Sequence, residues 1–344
     1  MKILVTGAAG FIGSKLMFEL AKRGDDVTGL DCINDYYDTR LKYGRLKACG
    51  FDPESVKEDG KMVRNNMYDN CKFIRMSLSD KQALDLLFEA ERFEKVMNLA
   101  AQAGVRYSIT NPYAYLESNL VGFLNVLEAC RNYGVKHLVY ASSSSVYGLN
   151  DEVPYKETAN VDSPVSLYAA TKKSNELMAH AYSKLYGLAT SGLRYFTVYG
   201  PWGRPDMSPT LFASAISEGR AINVFNNGDM IRDFTFIDDI VEGTMRVIDH
   251  TPDATKCDHD VPYRVYNIGC SQPVKLMDFI SEIESALGKE AKKVFLPMQQ
   301  GDVYQTNADT TRLETELGYH PQTSLHDGIR QFIDWYVSDD NPLR

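Results

Sequence analysis

The chain has 344 residues, 44% of them apolar and 24% charged, with a formal net charge of −9. That balance excludes a disordered chain and a single small core, and the negative charge speaks against nucleic acid or an anionic membrane as the main partner. Six cysteines without a Cys-x-x-Cys, no apolar run of membrane length and an N-terminus that opens on a strand predict reduced thiols, a cytoplasmic protein with no membrane contact and no leader to remove.

In chain order, Lys2 to Thr6 is a β-rich run, followed at once by Gly7-x-x-Gly10-x-x-Gly13 and an apolar-periodic helix from Phe11 to Ala21. Strand, glycine turn and helix form the setting of a dinucleotide fingerprint, in which the backbone approaches a pyrophosphate at the helix N-terminus. Asp26 to Asp31 is the next strand and ends in an acid, 18 positions past Gly13. A carboxylate there accepts from a ribose 2′-hydroxyl and repels a 2′-phosphate, so NAD is preferred over NADP. Residues 33–71 read as an extended, partly helical insertion. Strands at 72–76 and 95–99 flank a helix near 84–90, and the second strand runs into small residues, Ala100 to Gly104, suited either to a cofactor lying on the backbone or to close packing.

Asn119 to Asn132 reads as an amphipathic helix and His137 to Ala141 as a strand. Ser142-Ser143-Ser144-Ser145 lies at the end of that strand, where open α/β sheets bind ligands. The run is either a solvated loop or a set of hydroxyls aimed at a substrate oxygen. Tyr168 and Lys172 follow, four apart on a helix and therefore on one face. A free tyrosine titrates near pH 10, and a nearby ammonium favours its phenolate, so Tyr168 is a candidate proton shuttle for a sugar hydroxyl. Ala189 to Phe196 completes an alternation of strand and helix that predicts an α/β fold, a Rossmann-type doubly wound parallel sheet.

Beyond Tyr199 the elements shorten: strands at 222–225, 233–236 and 263–268, with Arg232 between the first two, and helices at 274–287 and 325–336. Arg204 and Arg232 suit a carboxylate or phosphate, or else surface ion pairs. Cys257 to Asp260 reads as a loop, and no metal site is expected. The predicted division is 1–198 as the cofactor domain and 199–344 as a smaller mixed α/β substrate domain, with about 234–268 able to pack back on the first.

These motifs, together with Asn34 to Tyr37, Leu99 to Ser108, Ala141 to Gly148 and Arg194 to Met207, resemble the extended short-chain dehydrogenase/reductase family along nearly the whole chain, and within it most closely the UDP-glucuronate 4-epimerases. The resemblance implies a homodimer acting on a UDP-sugar with NAD. Tyr168 would be the base, Lys172 would hold the nicotinamide ribose, and Ser143 would bond the sugar O4. Cofactor contacts would come from Gly7, Gly10, Phe11, Ile12, Gly13, Asp31, Ser77, Leu78, Leu99, Ala100, Ala101, Asn119, Ser142 and Tyr195, besides Tyr168 and Lys172. Ser144, Ser145, Thr197 and Arg204 would hold the uronic carboxylate, Arg232 the pyrophosphate and Asp302 the nucleotide ribose. The family's glycine–acid pair at the adenine is replaced by Met76-Ser77. The implied reaction is inversion at C4 through a 4-keto sugar. UDP-hexose or UDP-N-acetylhexosamine epimerisation, UDP-glucuronate decarboxylation and an NAD-binding regulator are the alternatives. Related dehydratases and decarboxylases carry carboxylates where this chain has serines, so neither dehydration nor decarboxylation is expected.

Overall fold

The computed structural model describes residues 1–299 and 303–344. Its first half alternates strands and helices: β1 (Lys2–Thr6), α1 (Phe11–Arg23), β2 (Asp26–Asp31), α2 (Thr39–Ala48), β3 (Met62–Arg64), β4 (Cys71–Arg75), α3 (Lys81–Glu91) and β5 (Lys95–Asn98). Two short helices, α4 (Tyr107–Thr110) and α5 (Pro112–Tyr115), then lead through a π-helical turn, Leu116–Val121, into α6 (Gly122–Asn132). β6 (His137–Ser143), α7 (Leu167–Tyr186) and β7 (Thr190–Tyr195) follow. The remainder comprises β8 (Thr197–Tyr199), α8 (Ser208–Ser217), β9 (Ala221–Val224), β10 (Ile231–Phe236), α9 (Ile237–Asp249), β11 (Tyr263–Ile268), β12 (Pro273–Lys275), α10 (Leu276–Leu287), β13 (Lys292–Phe295), α11 (Thr311–Leu317) and α12 (Leu325–Val337).

Eight strands form the main sheet in the order β11-β7-β6-β5-β1-β2-β4-β3. All neighbours are parallel except the edge strand β3, which runs antiparallel to β4. Successive residues of a strand point to opposite faces. Ile3 and Val5 accordingly enter one core with α1, α9 and the C-terminal helices, while Leu4 enters the other with α3, α6 and α7. Covering on both faces explains why β1 reads as an unbroken apolar run. Chain order reverses between β1 and β5, and a crevice opens there above their C-terminal ends.

The smaller sheets, β12-β10-β8 and β13-β9, lie on the C-terminal side. Here the structure corrects several sequence expectations. Arg232 sits inside β10, not between two strands. The helix expected from 274 begins at Leu276, because residues 273–275 pair with β10 first. α8, α9 and α11 were not anticipated, and the helix expected from Asn119 starts as a π turn.

Candidate active site

The first wall of the crevice is the glycine turn. Gly7 has φ +70°, and a Cβ there would stand 2.9 Å from the Ala100 N. A Cβ on Gly13 would stand 2.1 Å from the Gly7 carbonyl oxygen. Gly10 caps α1 without a side chain, and no acid occupies the first turn. Asp31 ties this turn to β2: Oδ2 accepts from Ala9 N at 3.0 Å and Oδ1 from Ile33 N at 2.8 Å. Bare backbone, an uncompensated helix N-terminus and a carboxylate at the end of β2 fit the pyrophosphate and adenosine ribose of a dinucleotide.

The cleft holds about 1030 Å³ and is lined by Gly7, Gly10, Phe11, Ile12, Gly13, Asp31, Ser77, Leu78, Leu99, Ala100 and Ala101. Ser142, Ser143, Ser144, Ser145, Tyr168, Lys172, Tyr195, Thr197, Arg204 and Arg232 line it as well. Two expected site residues are not in that lining. Asp302 lies outside the described residues. Asn119 is buried behind the wall, where its Oδ1 accepts from Gln102 N at 2.8 Å and its Nδ2 donates to Gln102 O at 3.1 Å and to Thr171 Oγ1 at 3.0 Å. The π turn frees the Asn119 carbonyl, which accepts from Asn175 Nδ2 at 2.7 Å. Asn119 thus braces the loop after β5 against the Tyr168 helix.

Ser166 caps α7, its Oγ accepting from Ala169 N at 3.1 Å, and Tyr168 therefore stands in the first turn, half-buried at the cleft. Burial pushes the Tyr168 phenol up, while a hydrogen bond with Ser143 and the charge of Arg204 pull it down. Lys172 is nearly fully buried, which lowers its pKa to about 8. Its Nζ donates to Ala141 O at 2.8 Å and stands 6.0 Å from the Tyr168 ring centre. Arg204 thus brings a second positive charge to bear on Tyr168, besides the lysine that the sequence singled out.

One turn beyond Lys172, Glu176 collects the end of the serine strand. Ser142 Oγ donates to its Oε1 at 2.6 Å, and Arg194 grips both carboxylate oxygens at 2.9 Å. Arg194 also donates to the Tyr147 hydroxyl at 3.1 Å. The Ser143 hydroxyl donates to Ser145 Oγ at 3.1 Å. Sequence inspection missed this network, although Glu176 continues the four-residue spacing from Tyr168 and Lys172. Farther out, Arg204 Nε donates to Asp206 Oδ1 at 3.0 Å and Nη2 to Oδ2 at 2.5 Å, and Tyr36 OH donates to the same carboxylate at 3.0 Å. Arg232 donates to the carbonyls of Ile231, Tyr304 and Val303 at 2.8, 2.9 and 2.6 Å.

Residues 3–269 match the model of the NAD dependent epimerase/dehydratase family. The chain belongs to this family. Among individual relatives, it is 49% identical to Protein CapI of Staphylococcus aureus over 98% of each chain. It is 43% identical to a probable UDP-glucuronate 4-epimerase of Rhizobium meliloti over 98% of this chain and 97% of that one. The crystal structure of UDP-glucuronic acid 4-epimerase from Bacillus cereus in complex with UDP-glucuronic acid and NAD superposes with a TM-score of 0.84, at 33% identity over 97% of this chain and 98% of that one.

Proposed function

We propose that the chain interconverts UDP-glucuronate and UDP-galacturonate by inversion at C4, with NAD as a resident cofactor. The single observation that carries this reading is that Ser143 and Tyr168 meet in one cleft with the glycine turn, Thr197 and Arg204, and with no carboxylate in the serine run. The kinship with UDP-glucuronate 4-epimerases supports it. Bound NAD supplies the hydride acceptor and donor for C4. Tyr168 takes the O4 proton as C4 is oxidised and returns it after the 4-keto sugar has turned. Ser143 bonds O4 and lowers the cost of the phenolate. Lys172 holds the cofactor ribose, Arg232 the pyrophosphate and Asp302 the nucleotide ribose.

The 4-keto uronate is a β-keto acid, which loses carbon dioxide when its C5–C6 bond aligns with the carbonyl. Ser144, Ser145, Thr197 and Arg204 hold the carboxylate away from that alignment. A second reading, epimerisation of a neutral UDP-hexose or UDP-N-acetylhexosamine, is favoured by one observation: Arg204 is engaged by Asp206. Incubation with UDP-glucuronate, UDP-glucose and UDP-N-acetylglucosamine separately, followed by identification of products, decides between them. Conversion of UDP-glucuronate alone supports the first reading, and equal or better conversion of a neutral sugar overturns it.

The same reading divides the chain near residue 198 into a cofactor domain and a smaller substrate domain. It places the protein in the cytoplasm, consistent with six free thiols, and pairs it as a homodimer. Exposed Leu177 (59%) and Leu185 (70%) on α7, beside Leu116, Val121 and Leu124, form an apolar face suited to a second copy. Sedimentation at the monomer mass would contradict the dimer.

A further inference from the structure

The adenine end of the cleft contains a polar chain with a defined direction. Asp31 marks the adenosine ribose at the end of β2, and β4 pairs directly beside β2, with Arg75 opposite Asp31. The base extending beyond that ribose therefore meets the loop after β4, where Ser77, Leu78 and Ser79 line the cleft. That loop is held from behind. Asn125 Nδ2 donates to Leu78 O at 2.8 Å, and Gly122 allows the start of α6 to approach Leu78, since a Cβ there would stand 3.1 Å from the leucine Cβ.

Glu117, on the π turn, lines the same part of the cleft. Its Oε1 accepts from Ser79 Oγ at 3.1 Å, Ser79 Oγ lies 2.9 Å from Ser77 Oγ, and Ser77 Oγ accepts from Ser79 N at 3.2 Å. An ionised carboxylate accepts only, and a hydroxyl has one proton to give. Glu117 takes the Ser79 proton, so Ser79 can only accept from Ser77. Ser77 then has no proton for the cleft and keeps one lone pair facing it. A base seated over this loop excludes water and strengthens the arrangement.

We propose that Glu117 is a specificity residue for the adenine of the cofactor, acting through Ser79 to set the Ser77 hydroxyl as an acceptor for the exocyclic amine. This rests on the NAD assignment above. It gives the site a negative charge two hydroxyls away from the base, where the residue following β4 is itself neutral. Glutamine at 117 carries donors as well as an acceptor, so the chain could reverse and Ser77 could donate.

The test is calorimetric titration of protein freed of endogenous dinucleotide, with NAD and with nicotinamide hypoxanthine dinucleotide, whose base carries a carbonyl oxygen in place of the amine. The wild type is expected to prefer NAD by about tenfold or more. In Glu117→Gln, a substitution at an exposed position, that preference is expected to fall to within about threefold, chiefly through better binding of the hypoxanthine cofactor. In Ser77→Ala, NAD is expected to weaken while the hypoxanthine cofactor changes less. An unchanged preference in Glu117→Gln, or none in the wild type, overturns the proposal. Failure of the wild type to bind NAD at all overturns the cofactor assignment and this proposal with it.

Discussion

The Lys172 ammonium donates to the Ala141 carbonyl at 2.8 Å and stands 6.0 Å from the centre of the Tyr168 ring. Burial lowers the Lys172 pKa to about 8, against about 10.4 in an unfolded chain. The unfolded state therefore holds more protons between these values, and stability rises with pH across that window. Below it, the fold carries a penalty of about 3 kcal/mol for keeping this amine charged. Lys172→Met is expected to stabilise the dinucleotide-free protein by about 1–2 kcal/mol near pH 7, after loss of the Ala141 bond, and the advantage should shrink toward pH 10. Urea denaturation at several pH values checks this. A variant less stable than wild type near pH 7 would contradict it.

Tyr168→Phe should retain the cofactor and lose turnover by about 10²-fold or more, the usual cost of removing a general base. Near-wild-type turnover would remove Tyr168 from the role.

Arg204→Ala should weaken UDP-glucuronate by about ten- to a hundredfold, the loss of a charge-assisted bond of roughly 1.5–3 kcal/mol, and should leave NAD binding intact. It should also release some carbon dioxide. Because the Arg204 charge lowers the Tyr168 pKa, its removal should move the rise of turnover to higher pH. The same shift with UDP-glucose would separate this electrostatic effect from carboxylate binding. Equal weakening of both sugars would leave Arg204 as no more than the Asp206 partner that stiffens its loop.

Asp31 has two tasks. Asp31→Ala should weaken NAD, relax discrimination against NADP and lower thermal stability, because Ala9 N and Ile33 N lose their acceptor. Asp31→Asn keeps an acceptor but not the charge, and should relax discrimination with less loss of stability. Wild-type protein that binds NADP as well as NAD would refute the ribose role.

The cofactor half was legible because its signals are local: the glycine spacing, the acid closing β2 and the alternation of strands with helices. Tyr168 and Lys172 were legible as a helical pair, but the influence of Arg204 on Tyr168 was not, since 36 residues separate them and only the fold brings them together. The bracing bonds of Asn119 were not legible, because they depend on the π turn that precedes α6. The π turn shifts the residue's register and directs it at Gln102 and Thr171. Arg232 was placed outside a strand because β10 alternates poorly and draws its pairing from distant β8 and β12. β11 joins the main sheet beside β7 through pairing across some 70 residues; the return of this stretch to the first domain was expected, the register was not.

The central claim is that C4 is oxidised and reduced within one site, with the same hydride returned to the opposite face. UDP-glucuronate deuterated at C4 tests it most directly. The expected result is UDP-galacturonate with the deuterium still at C4, no carbon dioxide and no free NADH. Loss of the label to solvent, stoichiometric NADH or a decarboxylated main product would contradict it.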